Sequence, residues 1–297
     1  MRTSLAFLSV LAGSLLFGAI AAYPVFIALA HFNELPFHKV ISRTTLFSGL
    51  LFSILYLKYC GLLSKQGLAW NTGRQSKKSM FLYAFIGGAT ILILLDGILI
   101  FLGIYQFDPR VDWNVITLAR FFLKALFAGL MVGIIEEVLF RGALFGGLKK
   151  QSSATIALVV TSLVYAAVHF LKYRAVPESV EIGWFTGVEI FPEALFRFSN
   201  PVTIDSFITL FILGVLFAFI RIRSESIIPC IGLHAGIVTA LKFFNYITNY
   251  AGGTSYDFLV NKYDHQFGYL ASLILLLSIL IYYYVSKTKN GMNINEQ

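Results

Sequence analysis

Residues 117–147 form one apolar run and read TLARFFLKALFAGLMVGIIEEVLFRGALFGG. This run is longer than the ~20 residues that a transmembrane α-helix needs. Its second half nevertheless carries three charges, at Glu136, Glu137 and Arg141. An ionisable side chain at the centre of a bilayer costs roughly 2.5–3.5 kcal/mol on insertion scales, so such residues face a cavity or a partner. The run therefore predicts a membrane helix with one polar, functional face.

The rest of the sequence repeats the apolar character of this run. Of the 297 residues, 58% are hydrophobic and 13% are charged, and the mean hydropathy is +0.78. Soluble domains contain roughly 45–50% apolar and ~25% charged residues, so the composition excludes a soluble globular enzyme and a disordered chain. We predict an all-α, polytopic membrane protein with about eight transmembrane helices. The eight apolar segments are roughly residues 4–30, 44–63, 80–106, 117–147, 154–171, 202–220, 227–247 and 267–285.

The net charge of +8 comes mainly from lysine and arginine between the apolar segments. The short basic loops include Lys65, Lys77, Lys78, Lys149, Lys150, Arg221, Arg223 and Lys287. The positive-inside rule then places both termini in the cytoplasm, and we expect a bacterial inner membrane. The first segment resembles a signal peptide but continues to Ala30, so we expect an uncleaved helix. Membrane lipids are the expected surroundings, and we expect no nucleic-acid partner.

The three charges in the fourth segment divide into a pair and a single carboxylate. Glu137 and Arg141 are four residues apart, which is the favourable spacing for an ion pair on one helix face. Glu136 is rotated by about 100° and has no partner on its own helix. An unpaired carboxylate suits a general base. A structural ion cluster between helices and the proton site of a transporter are the alternative interpretations.

Two later apolar segments each carry a histidine. His169 shares a helix face with Tyr165, and His234 lies in the seventh segment. Taken singly, each is more typical of a structural histidine. The segment bounds allow both to meet Glu136 in the inner half of the bilayer. One glutamate and two histidines can activate a water and stabilise an oxyanion, or they can hold a metal that does both.

These elements, in this order, resemble the motifs of the CPBP family, which comprises CAAX prenyl proteases and bacteriocin-processing (Abi) proteins. The motifs are Glu136-Glu137-x-x-x-Arg141, Tyr165-x-x-x-His169 and a third histidine, His234, and the resemblance covers roughly residues 117–247. It implies an intramembrane endopeptidase of about eight helices. It implies Glu136 as the residue that activates water and His169 as its partner. It implies His234 as a metal ligand or oxyanion donor, with Glu137, Arg141 and Tyr165 in support.

Two positions depart from the family pattern. Tyr165 replaces the usual phenylalanine, and Val238 stands where an asparagine or aspartate usually follows the last histidine. Because valine can neither donate a hydrogen bond nor bind a metal, a non-proteolytic relative that binds a peptide or protects against it is one alternative. A proton-coupled transporter is another. Zn²⁺ held by His169, His234 and Glu136 is one prediction for the cofactor, and we favour catalysis without metal.

The sequence divides into an N-terminal three-helix membrane region (1–116), catalytic helices (117–247) and a last helix with a short basic tail (248–297). The expected substrate is a membrane-associated or exported peptide or protein. An outer loop, 172–201, predicts either an amphipathic cap or an interfacial aromatic belt. Its aromatic residues are Trp184, Phe185, Phe191, Phe196 and Phe198. Asp96, alone in the third segment, predicts a structural hydrogen bond.

Overall fold

The computed structural model describes residues 2–30, 35–70, 76–171, 173, 175–177, 179–192, 203–262 and 265–292. Phe196 and Phe198 of the predicted outer loop lie outside these residues. The helices are α1 (Arg2–Ala30), α2 (Phe37–Tyr59), α3 (Lys77–Phe101), α4 (Val115–Glu137), α5 (Phe145–Lys149), α6 (Ala154–Val168), α7 (Thr186–Glu189), α8 (Ile204–Ser224), α9 (Ile228–Ile247) and α10 (Tyr269–Met292). A π-helical segment (Val138–Leu144) joins α4 to α5. Two short strands, β1 (Tyr105–Phe107) and β2 (Thr248–Tyr250), and a 3₁₀ turn (Asp257–Leu259) complete the elements.

The predicted all-α, polytopic architecture is confirmed. Within the described residues, seven helices are long and apolar enough to cross a membrane, and α4 to α5 counts as one of them. The remaining predicted segment, the fifth (154–171), corresponds to α6, which has 15 residues. A helix of that length rises about 22 Å, which is less than the ~30 Å of a hydrocarbon core. The chain is an integral membrane protein, and α6 is an apolar helix shorter than these seven candidate spans.

The end of α6 has a local cause. The His169 ring donates a hydrogen bond from Nδ1 to the backbone carbonyl oxygen of Tyr165, at 2.7 Å. In a continuing helix the backbone amide of residue 169 would bind that carbonyl. This amide binds the Ala166 carbonyl instead, at 3.3 Å. The helix therefore tightens and stops at the residue that was predicted to be functional.

The α9 helix occupies the centre of the bundle and packs between α3 and α4. At Gly236 a Cβ atom would collide with the carbonyl oxygen of Phe85 on α3, so the two backbones are in direct contact. The first three helices do not form one layer, because α1 and α2 pack against each other while α3 packs mainly on α9. The sequence-based division at residue 116 stays a prediction.

The hairpin of α1 and α2 is covered at one end by residues that follow α6. Tyr173 and Phe191 join a hydrophobic cluster with Ala19, Ala22 and Ile41 of the hairpin. Trp184 contacts Tyr23, with ring centroids 5.2 Å apart. The described part of the predicted outer loop therefore docks on the hairpin.

The antiparallel pair of β1 and β2 links the ends of α3 and α9. Just after β1, Asp108 accepts hydrogen bonds from the Arg110 side chain, one of them from Nη2 at 2.7 Å. This bonding lowers the pKa of the Asp108 carboxyl to about 2. In α3, Asp96 is buried and accepts a hydrogen bond from Gln266 at 3.0 Å, as predicted from its isolation in an apolar segment.

Candidate functional site

The end of α4 places two adjacent glutamates in different surroundings. Glu137 is fully buried, whereas 23% of the Glu136 side chain is exposed. The helix widens into the π-helical segment immediately after Glu137, and Arg141 lies within that segment. Single π-helical turns inside α-helices occur frequently at functional sites.

Glu137 is the centre of a dry network. Its Oε1 atom accepts a hydrogen bond from Arg141 Nη1 at 3.1 Å and another from His234 Nδ1 at 2.8 Å. Arg141 is fully buried and also donates from Nη2 to the carbonyl oxygen of Gly214 at 3.2 Å. The predicted pairing of Glu137 and Arg141 is therefore observed. The pair is also bonded to a histidine, a contact that the sequence did not indicate.

Aromatic rings enclose this network. The guanidinium carbon of Arg141 lies 4.6 Å from the ring centroid of Tyr165 and 4.7 Å from that of Phe217. The Phe217 ring also stacks on His234, with centroids 5.0 Å apart. A guanidinium over an aromatic face gains cation–π attraction, which is stronger when water is excluded. Tyr165 thus supports Arg141 with its ring and His169 with its carbonyl.

The partners of the two histidines fix their tautomers. A carbonyl oxygen only accepts hydrogen bonds, so the hydrogen is on His169 Nδ1, which donates to the Tyr165 carbonyl oxygen. An ionised carboxylate also only accepts, so His234 Nδ1 donates to Glu137 in the same way. In a neutral imidazole the other nitrogen then bears a lone pair. Both Nε2 atoms are therefore acceptors when the rings are neutral.

These two Nε2 atoms converge on Glu136. Each lies 3.9 Å from Glu136 Oε2. That oxygen is buried and has no hydrogen-bond partner within the described part of the chain. Three acceptor atoms thus face one another without a donor. The space between them suits a water, a proton on one imidazole or a cation.

The donor set suits zinc in its chemistry, because two imidazoles and a carboxylate are common zinc ligands. Each histidine also has a partner that orients its ring. Ligand atoms on one tetrahedral zinc are ~3.3 Å apart, so the 3.9 Å separations would need to close slightly. Within the described residues, no group of three His, Cys, Asp or Glu is spaced for a metal. A water that forms hydrogen bonds of ~2.8 Å to Glu136 Oε2 and to one histidine Nε2 fits without any movement of these side chains.

Residues 118–240 match the family model described as Rce1-like, type II CAAX prenyl endopeptidase. The match contains all six predicted site residues: Glu136, Glu137, Arg141, Tyr165, His169 and His234. The match supports the assignment to the CPBP family of CAAX proteases that the sequence motifs predict. No curated protein and no solved structure matches the chain significantly. CAAX endopeptidase families cleave peptide bonds, which supports protease activity.

The matched segment has a valine, Val238, where the family pattern has a polar residue after the last histidine. Val238 lies one turn after His234 in α9 and is absent from the wall of the cavity beside Glu136. Asn245 is exposed and also lies away from that cavity. Neither residue therefore supplies a hydrogen-bond donor to the space between Glu136 and the two histidines.

The main feature that sequence reasoning missed is the contribution of α1 and α2. A cavity of about 240 Å³ adjoins Glu136 and His169, and both helices of the hairpin line it. Along α2 the small lining residues recur on one helix face: Ser42, Thr45, Gly49 and Ser53. This spacing was the available signal. Ser42 and Ser53 donate to carbonyl oxygens of their own helix, so this wall offers few free hydrogen-bonding groups.

Proposed function

We propose that this chain is an intramembrane endopeptidase in which Glu136 activates the water that attacks a peptide carbonyl. The observation that carries the proposal is the convergence of three acceptor atoms, Glu136 Oε2 and the two histidine Nε2 atoms, beside an apolar cavity. The family match supports the reaction class. A general base has to lie within reach of the proton that it removes, directly or through one water.

The partners of the histidines divide their roles. His234 Nδ1 is held by the negative Glu137 carboxylate, whereas His169 Nδ1 is held by a neutral carbonyl, so we assign the oxyanion donor to His234 and the contact with the water to His169. A protonated His234 presents Nε2–H to the space beside Glu136 and donates to the oxyanion. Neutral His169 accepts a hydrogen bond from the water and so orients the water molecule. Glu136 takes the water proton as the oxygen bonds to the carbonyl carbon, and it returns that proton to the leaving amine.

We favour this mechanism without a metal. When bound, a zinc ion held by His169 Nε2, His234 Nε2 and the Glu136 carboxylate supplies polarisation of the water and the carbonyl. Metal analysis of purified protein, paired with activity in chelator and after zinc addition, distinguishes the two mechanisms. We expect activity to survive chelation. Stoichiometric zinc that is lost and restored together with activity would show the metal-free mechanism to be wrong.

The cavity indicates the class of substrate. It extends along α2 from Ser42 to Ser53, a rise of about 16 Å, and apolar side chains form most of its wall. An extended peptide rises ~3.3 Å per residue, so about five residues fit along this length. We infer that an uncharged, extended segment of a membrane-associated or exported peptide or protein binds here.

The orientation of the chain remains part of the proposal. Because the short loops at one end of the bundle are basic, we propose that both termini face the cytoplasm of a bacterial cell. Fusion of a reporter that is active on only one side of the membrane to each terminus tests this topology. Activity on the opposite side at either terminus would contradict it.

The function is tested by comparing the membrane proteomes of cells that carry wild-type protein or the Glu136→Gln variant. Glu189→Gln, which changes an exposed glutamate on α7, is the matched control. We expect precursor proteins to accumulate with Glu136→Gln and new termini to appear only with wild type and the control. Identical termini in all three samples would contradict proteolysis and favour the peptide-binding alternative that Val238 suggests.

A further inference from the structure

A second buried arginine lies outside the residues assigned to the candidate site. Arg221 lies in the last turn of α8 and is 8% exposed. Its guanidinium carbon is 5.7 Å from the ring centroid of Phe145 on α5. Like Arg141, this arginine rests on an aromatic ring in the interior of the bundle.

Unlike Arg141, Arg221 has no carboxylate. Across the described ranges, no hydrogen bond or ion pair joins its guanidinium to another residue, and its Nε atom is buried without a partner. The nearest acid along the chain is Glu225, one turn further on. That residue has a φ of 52°, in the left-handed region, so the chain leaves the helix there and the Glu225 side chain is exposed. Within the described residues, Arg221 is therefore a buried cation without a hydrogen-bonded counterion, and Glu225 acts on it only through a longer-range attraction.

A buried charge is strongly unfavourable unless it is paired and hydrogen-bonded. An arginine cannot escape this penalty by losing its proton, since its guanidinium stays charged in proteins. The small exposed fraction of Arg221 is then the place where an external anion can reach it. A guanidinium binds phosphate oxygens through two parallel N–H groups, which makes phosphate a favoured partner.

The position of Arg221 identifies the source of the phosphate. The α8 helix is one of the candidate membrane spans, and Arg221 stands three residues from its end, at the level where a lipid headgroup lies. On α5, Lys149 lies one turn beyond Phe145, on the same helix face. Lys149 is exposed, so it adds a second cation at the rim. Basic clusters at the ends of membrane helices attract anionic lipids.

We propose that Arg221, assisted by Lys149, binds the phosphate group of an anionic phospholipid at this end of the bundle. The phosphate supplies the counterion that the chain does not provide. The lipid therefore acts as a structural ligand that stabilises the junction of α5 and α8. This role does not depend on the proposed proteolysis, because Arg221 touches none of the residues assigned to it.

The test measures thermal unfolding and native mass spectra of the purified, delipidated full-length protein. Phosphatidylglycerol is added to detergent micelles in one arm, phosphatidylcholine in a second and inorganic phosphate in a third. We expect phosphatidylglycerol to raise the melting temperature by ~2–4 °C and to remain bound in the spectra, with smaller effects in the other arms. An equal shift from inorganic phosphate alone would overturn the lipid as the source.

The variants locate the effect. Arg221→Gln is expected to lose the shift produced by phosphatidylglycerol, and Lys149→Gln to reduce it. Arg223→Gln is the matched control, because Arg223 lies on another face of α8, against Phe219 and Tyr283. It should keep the full shift. A shift that Arg221→Gln retains in full would overturn the proposal.

Two further variants guard against misfolding and against an internal partner. Arg221→Met removes the charge but fills the space, and buried charges replaced by apolar groups often leave proteins stable. We expect this variant to fold in detergent without responding to phosphatidylglycerol. Glu225→Gln should leave the melting temperature and the lipid response unchanged. A loss of stability in Glu225→Gln equal to that in Arg221→Gln would show that Glu225 is the counterion, and would overturn the proposal.

Discussion

Glu136 and Glu137 are neighbours in the chain, yet their surroundings are opposite. The Glu137 carboxylate is fully buried and bonded through one oxygen to Arg141 and His234. The Glu136 carboxylate adjoins a cavity, and its buried oxygen has no partner within the described residues. Each carboxylate keeps one buried oxygen without a hydrogen-bond partner within the described residues, but only Glu137 is bonded through its other oxygen, which ties it to Arg141 and His234.

This difference teaches how a membrane protein can keep a reactive base. An unpaired carboxylate in an apolar bundle is destabilising, so the structure around it has to be secured by other contacts. The buried ion pair of Glu137 and Arg141 fixes the helix and the His234 ring. Glu136 is then left with only weak, 3.9 Å approaches to the two imidazoles. The predictions below follow this division.

The largest effect is expected on turnover at Glu136. Glu136→Gln keeps the size of the side chain but removes the base, and loss of a general base costs ~10²–10⁴-fold in rate. The unfolding temperature should stay close to that of wild type, because Glu136 makes no strong contact in the structure. Cleavage of a substrate identified from the proteome measures the rate. Retention of a tenth of the activity would remove Glu136 from this role.

The next effect is expected on stability at Arg141. Arg141→Ala leaves Glu137 buried with one partner fewer, and breaking a buried ion pair costs ~3–5 kcal/mol. Chemical unfolding in detergent should show this loss, and activity should fall with it. An inactive Arg141→Ala variant of unchanged stability would mean that Arg141 acts on the substrate directly.

The two histidines are expected to differ as the two glutamates do. His234 belongs to the buried network of Glu137, and His169 belongs to the open side of the site beside Glu136. His234→Gln should lower turnover and also destabilise the protein by ~1–3 kcal/mol, since Glu137 loses a hydrogen bond in a dry site. His169→Gln should lower turnover with little change in stability, because 29% of the His169 side chain is exposed. Equal losses of stability in both variants would contradict the assignment of His169 to the open side.

The smallest effect is expected at the ion pair of Asp108 and Arg110, which lies between α3 and α4. Arg110 holds the pKa of Asp108 at about 2, below the ordinary value of 3.8. A group whose pKa is depressed by folding stabilises the fold above its unfolded pKa and loses that stabilisation as the pH falls. The melting temperature of wild type should drop between pH 5 and pH 3 slightly more than that of Asp108→Asn. We expect a difference on the order of 1 °C, because surface ion pairs contribute little.

Most of the fold was predictable from the sequence, because apolar length alone identifies membrane helices. Two helices differ from the approximate bounds of their apolar segments for physical reasons. The α2 helix begins at Phe37 rather than at residue 44, since its first turns bury Val40 and Ile41 among polar residues. The α6 helix stops at Val168 because the His169 ring takes a carbonyl oxygen from the backbone. A hydropathy pattern predicts neither the buried first turns of α2 nor the hydrogen bond from the His169 ring to the backbone.

The site was predictable in its members but not in its connections. The spacing of Glu137 and Arg141 indicated their pair, whereas the bond of Glu137 to His234 joins residues 97 positions apart. The bounds of the seventh segment also gave too shallow a position for His234. Ile227, just before α9, is fully buried and bonded to the Ala69 carbonyl, so this helix starts inside the protein rather than at the membrane surface. Counting residues from its end therefore underestimates the depth of His234.

The most direct test of the division between the glutamates compares Glu136→Gln with Glu137→Gln. Both variants make the same chemical change one position apart, and both are assayed for cleavage and for thermal unfolding. The account predicts that Glu136→Gln is inactive with a melting temperature close to wild type, and that Glu137→Gln melts several degrees lower. A stable, inactive Glu137→Gln beside an active Glu136→Gln would reverse the roles and contradict the account.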